Sequence, residues 1–246
     1  MNTSHNSDQN RIVVLDTETT GMNTDGGPHY LGHRIIEIGA VEIVNRKLTG
    51  RHFHVYIKPD REIQPDAIKV HGITDEFLRD KPDYKQIHQE FLDFINGAEL
   101  VAHNASFDVG FMNYEFEKLD KSIGATEQYC KITDTLAMAK KIFPGKRNNL
   151  DVLCDRYGID NSHRTLHGAL LDAEILADVY LLMTGGQTSL QFNAGAQGDS
   201  ATGGESIKRA ASGRKALKVL RATADELDAH KKRLDLIEKN GSCLWR

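Results

Sequence analysis

Between Asn193 and Gly213 this chain has almost nothing to fold around. The 21 residues include five Gly, five Ala and three Ser, and Ile207 is their only large apolar side chain. Such a stretch buries too little surface to offset the entropy of ordering it. It reads as a flexible linker over 193–213, with a root-mean-square span of roughly 25 Å by random-coil scaling; an ordered surface loop is the alternative. The chain is therefore expected to divide into a body, 1–186, a short segment, 187–192, and a C-terminal segment, 214–246, beyond the linker.

Charge divides near the same place. The chain carries 31 Lys+Arg and 35 Asp+Glu, a net −4. From Ile207 onward there are 11 basic and 5 acidic side chains, so the tail stands at +6 and the remainder at −10. An acidic body with a basic tail points to two parts with different partners. The overall balance excludes a charge-driven nucleic-acid coat. No run of 18 uncharged apolar residues is present, so no membrane span is expected, and polar Met1–Asn10 lacks the apolar centre of a secretory signal. Three cysteines, Cys130, Cys154 and Cys243, form no C-x-x-C pair. Neither a disulfide framework nor a structural zinc site is expected, and a cytoplasmic location fits.

Within the body, strand and helix patterns alternate. Ile12–Asp16 and Ile35–Val44 are apolar, β-branched runs; Asn45–Gly50 reads as a turn and Arg51–Ile57 as the returning strand. Pro82–Asn96 has helical spacing stopped by Gly97. Glu99–His103 reads as a strand, and Phe107–Leu119, Thr133–Phe143, Asn149–Tyr157 and about Gly168–Met183 as helices. Adjacent strands followed by strand–helix alternation predict an α/β fold, a mixed sheet flanked by helices. In the tail, Thr223-Ala-Asp-Glu226 has the capping-box pattern ahead of an apolar stripe of Leu227, Leu234 and Ile237. An isolated helix of this length is marginal in water, so a partner is expected to order it, or else the body itself.

Three short motifs carry the chemistry. Asp16-Thr-Glu18 ends the first strand, where period two sets both carboxylates on one face. The pattern D-x-E occurs three times, also at Asp60/Glu62 and Asp172/Glu174, but only Asp16/Glu18 is delivered by an apolar strand to the mouth of a sheet. The second motif, His103-Asn104-Ala-Ser-Phe107-Asp108, joins a strand to a helix, and Asp108 could equally serve the helix dipole. In the third, His167-Gly-Ala-Leu-Leu-Asp172, an i, i+5 pair lies about 140° apart on a helix. His167 is therefore expected to precede the helix and Asp172 to project from its first turns; a satisfied surface or core histidine is the alternative.

Four carboxylates without a Cys or His cage describe a hard oxygen site suited to Mg²⁺ or Mn²⁺. Two such ions about 4 Å apart clamp the attacking and leaving oxygens of a phosphoryl displacement, and an imidazole near them can take the proton of the attacking water. Cation loading also explains how an acidic body could handle nucleic acid.

The motifs D-T-E-T-T-G-M, H-N-A-S-F-D and H-G-A-L-L-D resemble, in order and spacing, those of the DEDDh 3′–5′ exonucleases, and within that family the likeness is to proofreading subunits of bacterial replicative DNA polymerases. It extends through Ile35–Val44, Phe143-Pro-Gly-Lys-Arg-Asn-Asn-Leu150 and the closing Gly-Ser-Cys-Leu-Trp. The resemblance implies a ribonuclease H-like fold and two divalent ions, Mg²⁺ or Mn²⁺, held by Asp16, Glu18, Asp108 and Asp172, with Asp16 bridging them and His167 as general base. It implies that Thr17, Gly21, Met22, His71, His103, Asn104 and Phe107 line the terminal nucleotide of a single-stranded or frayed DNA 3′ end. His71 could instead be a structural loop residue, and Asp134 is left outside the metal shell. Gln187, Leu190 and Phe192 resemble the sliding-clamp-binding motif of bacterial replication proteins; a helix tail folding back on the core is the alternative. The tail from Ile207 resembles the segment that holds the polymerase (alpha) subunit, with Trp245 as an anchor. A basic amphipathic helix could also meet DNA or a membrane surface. A small theta-type accessory subunit on the exonuclease domain is implied too, and with it residence in a nucleoid-associated replisome. The expected activity is removal of mispaired 3′-terminal nucleotides as 5′-dNMP. A related exoribonuclease and a subunit whose main task is assembly are the rival readings.

Overall fold

The computed structural model describes residues 11–162, 164, 166–185 and 222–241. Gln187, Leu190, Phe192, the linker 193–213 and Trp245 therefore lie outside the described residues. The chain forms two compact units, 1–191 and 192–246.

The first unit is built on a five-stranded mixed sheet in the order β3-β2-β1-β4-β5. Strand β1 (Arg11–Thr19) pairs antiparallel with β2 (Ile35–Val44), which pairs antiparallel with β3 (Lys47–Tyr56). On the other side, β4 (Glu99–Ala102) runs parallel to β1, and β5 (Lys131–Asp134) parallel to β4. The α-helices are α1 (Pro65–His71), α2 (Asp75–Leu78), α3 (Tyr84–Ile95), α4 (Ala105–Leu119), α5 (Thr135–Ile142), α6 (Leu150–Tyr157) and α7 (Ala169–Thr184), with short 3-10 turns at Lys121–Ile123 and Thr126–Gln128. The expected mixed sheet with flanking helices is the observed architecture.

β1 is central and covered on both faces, which is why its apolar run shows no alternation. Val13 and Leu15 pack with Phe91 and Ile95 of α3 and Phe111 and Phe116 of α4. Val14 faces the opposite layer, with Leu153 of α6 and Ala173, Leu176 and Val179 of α7. Period two then sets Asp16 and Glu18 on the α7 side and Thr17 on the α4 side. Buried Glu115 of α4 ties that helix to β2. It takes two hydrogen bonds from Arg34, at 2.9 and 2.6 Å, and one from the Ile35 N–H.

Two sequence expectations need correction. The turn expected over Asn45–Gly50 is only Asn45-Arg46, and β3 already begins at Lys47. Both turn residues have positive φ, 51° and 62°, as a tight hairpin requires, and arginine there carries no turn signal. Its guanidinium instead caps the end of α7, donating to the Leu181 carbonyl at 2.6 Å and to Thr184 Oγ1 at 3.0 Å. Second, Thr133–Phe143 is not one helix: Lys131–Asp134 is the edge strand and α5 starts at Thr135. Four half-exposed residues offer no period to read, and Asp134 ends the strand by capping α5.

In the second unit α8 (Ala224–Asn240) begins at a capping box, Thr223 with Glu226, as expected. Leu227, Leu236 and Ile237 are exposed on it. Among the described residues no helix is long and apolar enough to cross a membrane.

Candidate active site

The three motifs meet at one end of the sheet. Asp16, Thr17, Glu18, His103, Asn104, Phe107, Asp108, His167 and Asp172 line a single cavity of about 280 Å³, together with Asn149, Leu150, Asp151 and Arg164. Gly21, Met22 and His71, expected near the terminal nucleotide, are not part of that lining.

The four carboxylates arrive by three devices. Asp16 and Glu18 come from the last residues of β1, just before its register with β2 shifts between Glu18 and Thr19. Asp108 lies in the first turn of α4 and is almost fully buried; Thr17 Oγ1 donates to its Oδ1 at 2.7 Å. Asn104, in the left-handed conformation (φ 69°), turns the chain from β4 into that helix, and its N–H donates to Asp134 Oδ1 at 3.1 Å. Asp134 thus serves the backbone of both connections. Asp172 sits on the first turn of α7, and His167 precedes that helix, as the i, i+5 spacing predicts.

What brings α7 onto the sheet was not legible in the sequence. Gly39 lies opposite Asp16 in the β1/β2 register, and a Cβ there would collide with the backbone of Ala169 and Leu170. The missing side chain lets the N-terminus of α7 descend on the strands, and Asp172 with it. Buried Glu37, opposite Glu18, completes the seat. Its Oε2 accepts the Ala169 N–H at 3.2 Å, serving a helix whose N-cap, Gly168, has no side chain, while Oε1 pairs with His54 Nε2 at 2.8 Å.

The electrostatics follow from crowding like charges under partial burial. Burial, then Asp108, Glu18 and Asp172, pushes Asp16 well above the usual carboxylate range. Burial, then Glu37, Asp172 and Asp108, pushes Glu18 up to about 8. Burial raises Asp108 to about 7 against the hydrogen bond from Thr17. Asp172 is the exception: burial opposes its charge, but the hydrogen bonds from Arg164 and the nearness of the His167 imidazole hold it below the usual range. Arg164 Nε and a terminal nitrogen donate to the two Asp172 oxygens at 2.5 and 2.6 Å. Its other terminal nitrogen reaches Asp151 Oδ1 at 2.6 Å. His167 Nδ1 lies 3.2 Å from Asp172 Oδ2. Burial lowers the pKa of His71 and His103, so both are neutral near pH 7. His71 ends α1, whose Val70 carbonyl accepts the His167 N–H at 3.1 Å; His103 Nδ1 pairs with Thr135 Oγ1 at 2.9 Å.

This site fits divalent cations. Glu18, His167 and Asp172 offer ligand atoms within 4.8 Å of one another, and Asp16 and Asp108 add hard oxygens to the same cavity. The raised carboxylate pKa values mark negative charge in need of a cation, and a guanidinium already stands beside Asp172. Glu37 and Arg164 escaped sequence reading because each contacts its partners through the fold: Glu37 is 132 residues from Ala169.

An exonuclease family model matches residues 13–180. DNA polymerase III subunit epsilon of Escherichia coli K12 is 60% identical over 237 residues, covering 96% of this chain and 97% of that protein. The subunit of the same name from Haemophilus influenzae is 60% identical, covering 96% and 94%. Among solved structures, exonuclease X in complex with 5′ overhanging duplex DNA aligns with a TM-score of 0.53 at 25% identity, over 71% of this chain and 91% of that one. The nuclease domain of 3′hExo, a DEDDh family member bound to rAMP, aligns with a TM-score of 0.56 at 19% identity, over 72% and 92%, a likeness of fold. With three-fifths identity across nearly its whole length and its motif carboxylates gathered in one cavity, the chain belongs to the DNA polymerase III epsilon-subunit family of proofreading 3′–5′ exonucleases.

Proposed function

We propose that this chain removes mispaired 3′-terminal nucleotides from DNA as 5′-dNMP, by hydrolysis at a site holding two divalent ions, Mg²⁺ or Mn²⁺. The observation that carries this reading is the convergence of Asp16, Glu18, Asp108, Asp172 and His167 on one cavity at the sheet's end. The family works with divalent metal ions. Asp16, Glu18, Asp108 and Asp172 would hold the pair, with Asp16 shared between them. Bound there, such ions neutralise phosphate charge and stabilise the attacking and leaving oxygens. Thr17 keeps Asp108 oriented. His167, half-exposed and outside the helix, takes the proton of the attacking water. Phe107, beside His103 and Asn104 at the rim, offers a ring face on which any base can stack, so no sequence is read. Thr17, Gly21, Met22 and His71 complete the proposed surround of the terminal nucleotide. A mismatched end unpairs at lower cost, and a site for single strands turns that difference into selectivity. Digestion of paired and mispaired 3′ ends in Mg²⁺ tests this; equal rates, or preferential release of rNMP, would overturn it.

His167→Ala is expected to lower kcat by roughly 10²–10⁴, the usual scale for a lost general base, with metal affinity little changed. Isothermal titration beside single-turnover kinetics separates the two, and an unaltered rate removes His167 from the proton transfer.

The pH dependence of metal-free stability has a defined sign. Glu18 and Asp108 bind protons more tightly when folded, at about 8 and 7, than at their ordinary 4.5 and 3.8. Their contribution is full below the ordinary values and is lost as pH rises through the folded ones. In a chelator, Tm is therefore expected to fall from about pH 5 to about pH 8.5, and divalent ions should shrink that fall by binding the ionised folded form. A chelated protein whose Tm rises across this window would contradict the assignment.

The second unit supports an assembly role beside catalysis. On the capped helix α8, exposed Leu227 and Ile237 share one side with half-buried Leu234, as in a helix that docks on a protein groove. We assign 214–246 to the polymerase (alpha) subunit and Gln187, Leu190 and Phe192 to the sliding clamp, with a theta-type subunit on the body, in a cytoplasmic replisome. A chain ending at residue 186 is expected to keep nuclease activity on oligonucleotides within about twofold and to lose polymerase binding in gel filtration. Loss of nuclease activity would refute the division at 186.

A further inference from the structure

Arg164 is the one Lys or Arg lining the carboxylate cavity among the described residues. Its side chain is only 7% exposed, though it belongs to the connection between α6 and α7. Three partners consume its guanidinium. Nε and one terminal nitrogen fork onto both oxygens of Asp172, at 2.5 and 2.6 Å. That terminal nitrogen also lies 2.8 Å from His167 Nδ1. The other reaches Asp151 Oδ1 at 2.6 Å.

Guanidinium has donors and no acceptor. Its approach to His167 therefore engages the lone pair of Nδ1, which is then not open to another donor. The same fork engages both oxygens of Asp172, so a metal ion there would meet a positive charge already paired with its ligand. One side chain thus ties up a carboxylate of the metal shell and a nitrogen of the histidine assigned as base. The fork is also favourable where it stands: without a cation, Asp172 would be a nearly buried, unpaired carboxylate, which is costly.

We propose that Arg164 is a resident counter-cation that must be exchanged for the divalent metal, so that loading the site and freeing His167 are a single event. The exchange forms and breaks only ionic and hydrogen-bond contacts. Asp172 passes from guanidinium to metal, and the Nδ1 lone pair is released when the guanidinium leaves. The inference rests on the metal-site reading above.

Two measurements on the full chain test it. Arg164→Gln keeps polar bulk but removes the competing charge. It should tighten Mn²⁺ binding, read by electron paramagnetic resonance of the free ion, by about tenfold or more, the scale of one charge-assisted hydrogen bond relieved. It should also lower the Tm of the chelated protein. An unchanged or weaker Mn²⁺ affinity overturns the proposal. The wild-type chain supplies the second readout, which needs no folded variant. In the metal-free protein the Arg164 Nε–H resonance should exchange slowly with water, and it should shift or broaden in proportion to Mg²⁺ occupancy. Saturable Mg²⁺ binding that leaves this resonance unmoved refutes the exchange alone. A wild-type chain that binds no divalent ion at all refutes the metal site together with it.

Discussion

Asp16→Asn is expected to abolish hydrolysis while leaving the chain at least as stable as the wild type in chelator. The two effects have one origin. Asp16 is half-buried at the end of the central strand, among Glu18, Asp108 and Asp172, and these neighbours add to burial in raising its carboxyl well above the usual carboxylate range. A neutral amide of the same shape removes repulsion from the metal-free site. It also removes the oxygen charge that two ions would share. Members of such an interdependent unit each cost nearly as much as the whole when deleted, so a fall of roughly 10⁴-fold or more in kcat is expected. The double variant with Asp172→Asn should lose little more than either single one. Single-turnover assays beside thermal melts of the chelated protein check both halves. Activity within tenfold of wild type would remove Asp16 from the metal shell, and a large drop in Tm would mean that the loss of activity is only unfolding.

The second large effect is expected far from any reacting atom. Gly39→Ala adds one methyl group, and it has nowhere to go: its Cβ would enter the backbone of Ala169 and Leu170 at the start of α7. Backbone cannot rotate aside as a side chain does, so the helix N-terminus must lift. Overpacking of this kind typically costs about 1–3 kcal/mol. The lift also carries Asp172 away from Asp16 and stretches the hydrogen bond from the Ala169 N–H to Glu37. Misplacement on the order of 1 Å costs about 10²-fold in rate. Urea unfolding and kcat measured on the same preparation should therefore fall together. Were stability to fall with kcat unchanged, Gly39 would be a packing residue without influence on the site.

Much of the site was legible because its chemistry is written in short motifs. The pattern Asp16-Thr-Glu18 needs only a strand to align its carboxylates, and the step from His103 to Asp108 needs only a strand-to-helix turn. The i, i+5 spacing of His167 and Asp172 was enough to place the histidine ahead of the helix. Patterns failed where an element was too short or its turn residue atypical, as at Lys131–Asp134 and at Asn45-Arg46. Helix α1 was also missed, although it bears Pro65 at its start and Gly72 at its end. At seven residues it is too short to show a helical period, and it matters because Val70 anchors the backbone of His167.

By itself, then, the sequence determined the candidate carboxylates, their order, the fold class and the division into acidic body and basic tail, since all of these depend on neighbours along the chain. Only the tertiary structure decided how these carboxylates converge and what restrains them. Gly39 acts through the space it leaves beneath α7, and Glu37 through a backbone N–H it meets across the sheet. Arg164 acts through carboxylates 8 and 13 residues away. No local period encodes these relations, because close packing and paired burial of charge are properties of what lies adjacent in space.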